Sequence, residues 1–179
     1  MTAPGTTNFI CNLCGADHPL AAEGLGREVA GCSRCGSSSR HRALAWLISD
    51  ELFGVPMAMP DFPAMKSWTA LGMSDVPGMA EPLAAKFSYT NTFYHQPPLF
   101  DVMVRDPSLD GRFDFIVSSE VLEHVPHPVG PAFDNLFHML KPSGVLFLTV
   151  PYTIDEDAVE HFPSLHDFAV VALKERWGW

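Results

Sequence analysis

The chain has 179 residues, enough for one sizeable core and a small satellite, and its 47% hydrophobic and 18% charged content is ordinary for a globular protein. A net charge of −10 argues against a general nucleic-acid binder, which needs basic surface to neutralise phosphates. No apolar run approaches the roughly 20 residues that span a bilayer, and MTAPGTTNF lacks a signal-peptide pattern. A cytoplasmic setting is expected.

The first feature in chain order is a cysteine quartet. Cys11 and Cys14 form one C-x2-C pair, Cys32 and Cys35 another, at a spacing that reads as a four-thiolate zinc site. Each pair sets two sulfurs on a tight turn, and Gly15 and Gly36 let backbone amides turn inward. The intervening segment is too short and polar to fold alone, so the metal would supply folding energy. His18 could also ligate, but four thiolates already close the site, which is then structural rather than catalytic. Two free-thiol or redox pairs are the alternative. In the cytoplasm these cysteines would be reduced or metal-bound rather than disulfide-linked.

Ser37–Ser39 can cap a helix carrying Ala43, Leu44, Leu47, Ile48 and Leu52 at helical spacing, with Gly54 placed to stop it. Arg40, His41 and Arg42 near its start suit a phosphate or an acidic partner, or a solvated helix face; the solvated face is the expectation. The proline-rich stretch from Val55 to Pro63 reads as a linker. The chain thus divides into a knuckle (1–39), a connecting helix and linker (40–63) and a main domain (64–179).

In the main domain Ser67–Leu71 predicts a strand, Gly72–Gly78 a loop and Ala80–Lys86 a short helix with Pro82 in its first turn. Ser88–Thr92 and Asp101–Val104 are further strand candidates. Phe113–Ser118 predicts a buried strand running into a polar turn at Ser119–Glu120. A helix opened by Glu123-His124 follows, with Phe133, Leu136, Phe137 and Leu140 as its buried stripe. A Lys-Pro-Ser-Gly turn then leads into Val145–Val150, nearly all apolar as in a central parallel strand. The segment from Ser164 to Trp179 predicts a helix. Alternating strands and helices imply right-handed crossovers and a mostly parallel sheet, with polar residues at the strand ends where such sheets bind ligands.

Six stretches carry a family resemblance: CNLCG, CSRCGSSSRHRALAWL, YTNTFYH, FDFIVSSEVLEHVPHPVGPAF, LKPSGVLFLTVPY and EHFPSLHDF. They resemble class I S-adenosylmethionine-dependent methyltransferases that carry an N-terminal cysteine knuckle. The resemblance implies a Rossmann-like α/β sheet, S-adenosylmethionine as methyl donor and transfer to an oxygen or nitrogen acceptor. A complete sheet of that class has seven strands; about five are legible here. The chain is therefore expected to be C-terminally incomplete, with a homo-oligomer possible over the open edge. The acceptor is expected to be a small molecule or a saccharide-linked group.

The family's first motif is an acid followed by a Gly-x-Gly-x-Gly turn. Here ALGMSDVPG offers Leu71, Gly72 and Ser74, with Ser74 in place of a second glycine and no acid before Gly72. For the ribose hydroxyls the candidates are Asn91 and Thr92. For adenine it is Asp106, or else Asp106 is a solvated loop residue. Ser118, Ser119 and Glu120 would face the methionine end, unless Ser119 merely caps a helix. His161, His166 and His124 are candidate bases for an acceptor, each with a structural alternative. The alternative to an enzyme is a catalytically inactive methyltransferase-like module that docks partners through its knuckle. An NAD-type oxidoreductase is disfavoured by the absence of G-x-G-x-x-G and Tyr-x-x-x-Lys.

Overall fold

The computed structural model describes residues 8–19 and 26–151. Strand β1 (Asn8–Ile10) pairs antiparallel with β2 (Asp17–Pro19). The turn between them carries Cys11 and Cys14, and Cys32–Cys35 repeats its geometry. Gly15 and Gly36 sit at φ 70° and 69°, and each amide donates 2.8 Å back to the first cysteine's carbonyl. A side chain at either position would strain the left-handed backbone that closes the turn.

Helix α1 (Ser39–Phe53) starts and stops where its sequence demands. Ser38 accepts from the His41 amide while the His41 ring accepts from the Ser38 amide, a reciprocal cap with histidine in place of Glu or Gln. Gly54 ends the helix in the left-handed region. The buried stripe is Leu44, Ala45, Ile48 and Ser49; Leu47, assigned inward by its spacing, is 44% exposed. Ser49 can be buried because its hydroxyl donates to Trp46 O and accepts the Met57 amide. The following proline-rich segment packs rather than merely linking. Met59 and Phe62 are core residues, and the Met59 amide donates to Asn12 O in the knuckle at 2.6 Å.

The main sheet has the order β4-β3-β5-β6 with every pairing parallel. Its strands are β3 (Met65–Met73), β4 (Phe87–Thr92), β5 (Phe113–Ser119) and β6 (Leu140–Thr149). Helix α2 (Pro77–Lys86) joins β3 to β4, and α3 (Gly130–Met139) joins β5 to β6. From β3 the chain builds outward to β4, then restarts on the other side at β5. Right-handed crossovers in opposite directions put α2 and α3 on opposite faces. Accordingly one core cluster joins the knuckle, α1, α2 and Ala70, Phe115, Val117 and Phe147 of the sheet. The other joins α3 to Leu71, Met73, Phe113 and Ile116. This is the expected Rossmann-like α/β arrangement, with four parallel strands among the described residues.

Several local expectations need correction. Asp101–Val104 forms a turn, closed by the Asp101 carboxylate accepting the Met103 amide at 2.9 Å, a conformation Asp favours over a strand. The α3 stripe is displaced by one residue from the one its spacing suggested. Ala132, Asn135, Leu136 and Met139 are buried, whereas Phe133 and Phe137 are 42% and 76% exposed. Asn135 is tolerated there because its amide donates to Val102 O. Glu123 and His124 do not open α3 but lie in a separate short turn, Leu122–His124. Helix α2 starts earlier than Ala80, so Pro82 lies inside it. The Lys-Pro-Ser-Gly turn is absorbed as an irregularity in β6, where Leu140 pairs with Phe113 and Val145 with Phe115. The segments after Pro151, including the expected terminal helix, lie outside the described residues.

Candidate functional site

The switch point of the sheet lies between β3 and β5, where the strand order reverses. Open α/β sheets bind ligands at the carboxyl ends of such strands. A cleft of about 210 Å³ lies there, lined by Arg40, His41, Leu44, Ser74, Asp75, Val76, Met79, Ser119 and Glu120. Four elements build it: the ends of β3 and β5, the first turn of α2, and the first turns of α1.

Both strand ends are conformationally strained. Ser74 has φ 59° and Glu120 φ 57°, the two non-glycine residues at positive φ among those described. Each such residue costs on the order of 1–2 kcal/mol relative to the right-handed region. Hydrogen bonds hold both in place, Ser74 N to Thr92 O at 2.7 Å and Glu120 N to Thr149 O at 3.0 Å. Strain of this kind concentrates at functional sites. Ser74 therefore holds a left-handed backbone of the kind that glycine adopts without strain.

Asp75 follows at once and is 8% exposed. Burial raises its carboxyl to about 6, against the opposite pull of the Tyr89 hydroxyl and Arg40. The Tyr89 hydroxyl donates to its Oδ2. Asn91 brackets the Asp75 backbone from both sides, accepting its amide at 3.0 Å and donating to its carbonyl at 2.8 Å. Gly72 is required behind this pair, since a Cβ there would lie 1.9 Å from Tyr89 Oη and 2.2 Å from Asp75 Oδ2.

The opposite wall comes from the N-terminal region. Arg40 Nη1 donates to Ser119 Oγ at 2.5 Å, and its Nε and Nη2 grip Glu28 at 2.7 and 2.9 Å. Arg27 holds Glu120 through both terminal nitrogens, at 3.0 and 2.5 Å, and donates to Val150 O. His41 is kept neutral by burial and by Arg40 beside it; with Nδ1 accepting from Ser38 N, its proton sits on Nε2. The Arg-His-Arg cluster is thus not a solvated face. Arg40 is 14% exposed at its side chain, and Arg42 is tied to Ser37 O and lies over the Phe9 ring.

The cysteine quartet forms a second centre. The four sulfurs lie within 4.8 Å of one another, with Cys11–Cys35 at 3.7 Å and Cys14–Cys32 at 3.6 Å. An ion about 2.3 Å from each of four tetrahedral sulfurs would separate them by about 3.8 Å. The donor set therefore fits a thiolate-bound metal. Although burial opposes charge on Cys32, the Cys35 and Arg34 amides outweigh it and hold that thiol well below the ordinary range. His18 Nε2 lies 3.0 Å from Cys32 Sγ, placed to bond a ligand sulfur rather than to complete the quartet.

Of the residues singled out by sequence, Ser74, Ser119 and Glu120 meet at the cleft. Gly72 and Asn91 stand behind it, supporting Asp75. Leu71 is buried on the α3 side of the sheet. Ser118 points there too, opposite Ser119 by strand alternation, with its hydroxyl fully buried and without a protein partner. Asp106 caps an exposed turn at 107–109, and His124 is about half exposed at its side chain; neither lines the cleft. His161 and His166 lie outside the described residues. The sequence reading missed the roles of Arg27, Glu28, Arg40 and Asp75. The Arg-His-Arg run was a signal for Arg40, but Arg27 and Glu28 meet Glu120 and Arg40 only through the fold.

A family model for a methyltransferase domain matches residues 32–174, well over half of the chain. The chain belongs to that methyltransferase-domain family. No curated protein matches it. The four-stranded parallel sheet is consistent with the Rossmann-like fold of this methyltransferase domain. Its first residue, Cys32, falls inside the cysteine quartet, so the knuckle's second pair and α1 are part of the matched region. Among the described residues of the methyltransferase domain no helix is long and apolar enough to cross a membrane.

Proposed function

We propose that this methyltransferase domain takes S-adenosylmethionine as its donor and transfers the methyl group to an oxygen or nitrogen of a small molecule or a saccharide-linked acceptor. The observation that carries the cofactor reading is the cleft at the switch point, where two strained strand ends converge beneath an arginine and a buried acid. Its donor set fits the amino-acid end of the cofactor. Arg40 and the Ser119 hydroxyl suit a carboxylate, and Glu120 and Asp75 suit an ammonium. S-adenosylmethionine supplies an electrophilic methyl group when bound. The protein's part is to hold two reactants in line and exclude water. His41, at the cleft wall with Nδ1 spent on capping, offers an Nε2–H that can donate a hydrogen bond, and it has no free lone pair with which to act as a base.

The quartet is read as a structural zinc site, because four thiolates leave no open position. Reduced thiolates at such a site suit the cytoplasm. A second reading is favoured by Asn91, whose amide is spent on the Asp75 backbone rather than offered to a ribose. It is a methyltransferase-like module that binds partners through the knuckle without turnover.

Titration calorimetry of zinc-loaded protein with S-adenosylmethionine separates the two. Saturable heat is expected. No heat at millimolar cofactor sinks the donor reading and leaves the binding module.

A further inference from the structure

Arg40 is already engaged by a carboxylate from its own chain. The Nε/Nη2 edge of a guanidinium is the fork that binds a carboxylate side-on, and Glu28 fills it, Oε1 to Nε at 2.7 Å and Oε2 to Nη2 at 2.9 Å. The two partners differ in their surroundings. Arg40 is 14% exposed and fixed on Ser119, whereas Glu28 is 52% exposed on the loop between the cysteine pairs. A half-exposed ion pair contributes little, so Glu28 can leave at small cost while Arg40 stays aimed. Arg27 also bridges Glu28 and Glu120, at 2.8 and 2.5 Å, so the loop has a second anchor when Glu28 releases Arg40.

We infer that Glu28 is a built-in placeholder on an anion-recognition site, and that the carboxylate of an α-amino-acid ligand displaces it from Arg40. This rests on the donor reading above and names the group that Arg40 selects. The exchange breaks two charge-assisted hydrogen bonds and forms two of the same kind, so Arg40 is never left unpaired in a low-dielectric wall. The placeholder therefore competes with the ligand, and its removal strengthens binding.

Two probes and two variants test this in the full-length, zinc-loaded protein. S-adenosylhomocysteine carries the amino-acid end; 5′-methylthioadenosine lacks it. Arg40→Ala should weaken S-adenosylhomocysteine by about 10- to 100-fold, the loss of a buried charge-assisted pair, and leave 5′-methylthioadenosine unchanged. Glu28→Gln should tighten S-adenosylhomocysteine by about two- to fivefold, the scale of an exposed ion pair, again with no effect on the second probe. The second probe thereby serves as a folding control for each variant. Equal weakening of both probes by Arg40→Ala, or weaker S-adenosylhomocysteine binding in Glu28→Gln, overturns the inference while the donor reading stands. Failure of the wild type to bind either probe overturns both.

Discussion

Replacing Asp75 by asparagine should stabilise the protein at neutral and alkaline pH. The carboxyl is buried, bonded to the Tyr89 hydroxyl, and titrates at about 6 rather than 3.8. Because the folded-state value is raised, the native state holds the proton more tightly than the unfolded chain. The stabilisation is fully present below 3.8 and is lost as pH rises through about 6. Each pH unit between the two values carries about 1.4 kcal/mol, so the ionised group costs about 3 kcal/mol at pH 8 and about 1 kcal/mol at pH 4.5. The amide of the Asp75→Asn variant keeps an oxygen for Tyr89 and cannot ionise. The stability gap between variant and wild type should therefore widen by about 2 kcal/mol between pH 4.5 and pH 8. At pH 8 the melting temperature should rise by about 6–12 °C for a domain of this size. Urea melts at several pH values measure it directly. Parallel pH profiles for the two proteins would refute the argument. The same cost explains why the acid belongs to a site: a buried carboxyl that destabilises the fold near neutrality is retained where it meets a ligand.

Other perturbations test the remaining parts. Metal analysis should give one zinc per chain, lost in Cys32→Ser together with much of the melting temperature, because Cys11, Leu13 and Cys32 belong to the same core cluster as Phe115; a metal-free wild type with four freely titrating thiols would disprove it. Gly72→Ala should cost about 1–3 kcal/mol by overpacking, since its Cβ would overlap Tyr89 and Asp75; an unchanged urea midpoint would contradict that. Leu136→Ala should cost about 2–5 kcal/mol and Phe137→Ala under about 0.5 kcal/mol, because Leu136 is fully buried and Phe137 is 76% exposed; equal losses would show the wrong helix face has been assigned to the core.

What the sequence made legible was set by local chemistry. The two C-x2-C-Gly turns, the serine cap and glycine stop of α1, and the apolar runs of β5 and β6 each depend on residues a few positions apart. The helix faces were less legible. In α1 and α3 the inward positions include Ser49 and Asn135, polar residues whose side chains find backbone partners, Trp46 O and the Met57 amide for Ser49 and Val102 O for Asn135. Hydrophobic periodicity places such residues outward and their apolar neighbours inward. The cleft was half legible. Ser74, Ser119 and Glu120 follow from the strand-end rule, which needs only strand order. Arg27 and Glu28 carry no local signal, for their partners lie 93 and 12 residues away.

The knuckle and the cleft are mechanically one unit. Ser37 follows the second cysteine turn, and its carbonyl accepts the Gly31 and Cys32 amides and Arg42 Nη1. Its hydroxyl lies 3.3 Å from Cys11 Sγ. Ser38 then caps α1, and Arg40 stands in the first turn with its amide on Arg27 O. Both arginines that reach the end of β5 are therefore positioned by backbone that the four sulfurs organise. A metal whose coordination is closed cannot take part in chemistry, yet its removal should disorder the loop that aims Arg27 and Arg40 at Glu120 and Ser119. Chelation is thus expected to weaken ligand binding before the sheet melts, because the sheet's second core cluster, against α3, contains no knuckle residue. Ligand affinity that survives chelation unchanged, in protein with a lowered melting temperature, would show that the arginines are aimed by the sheet alone.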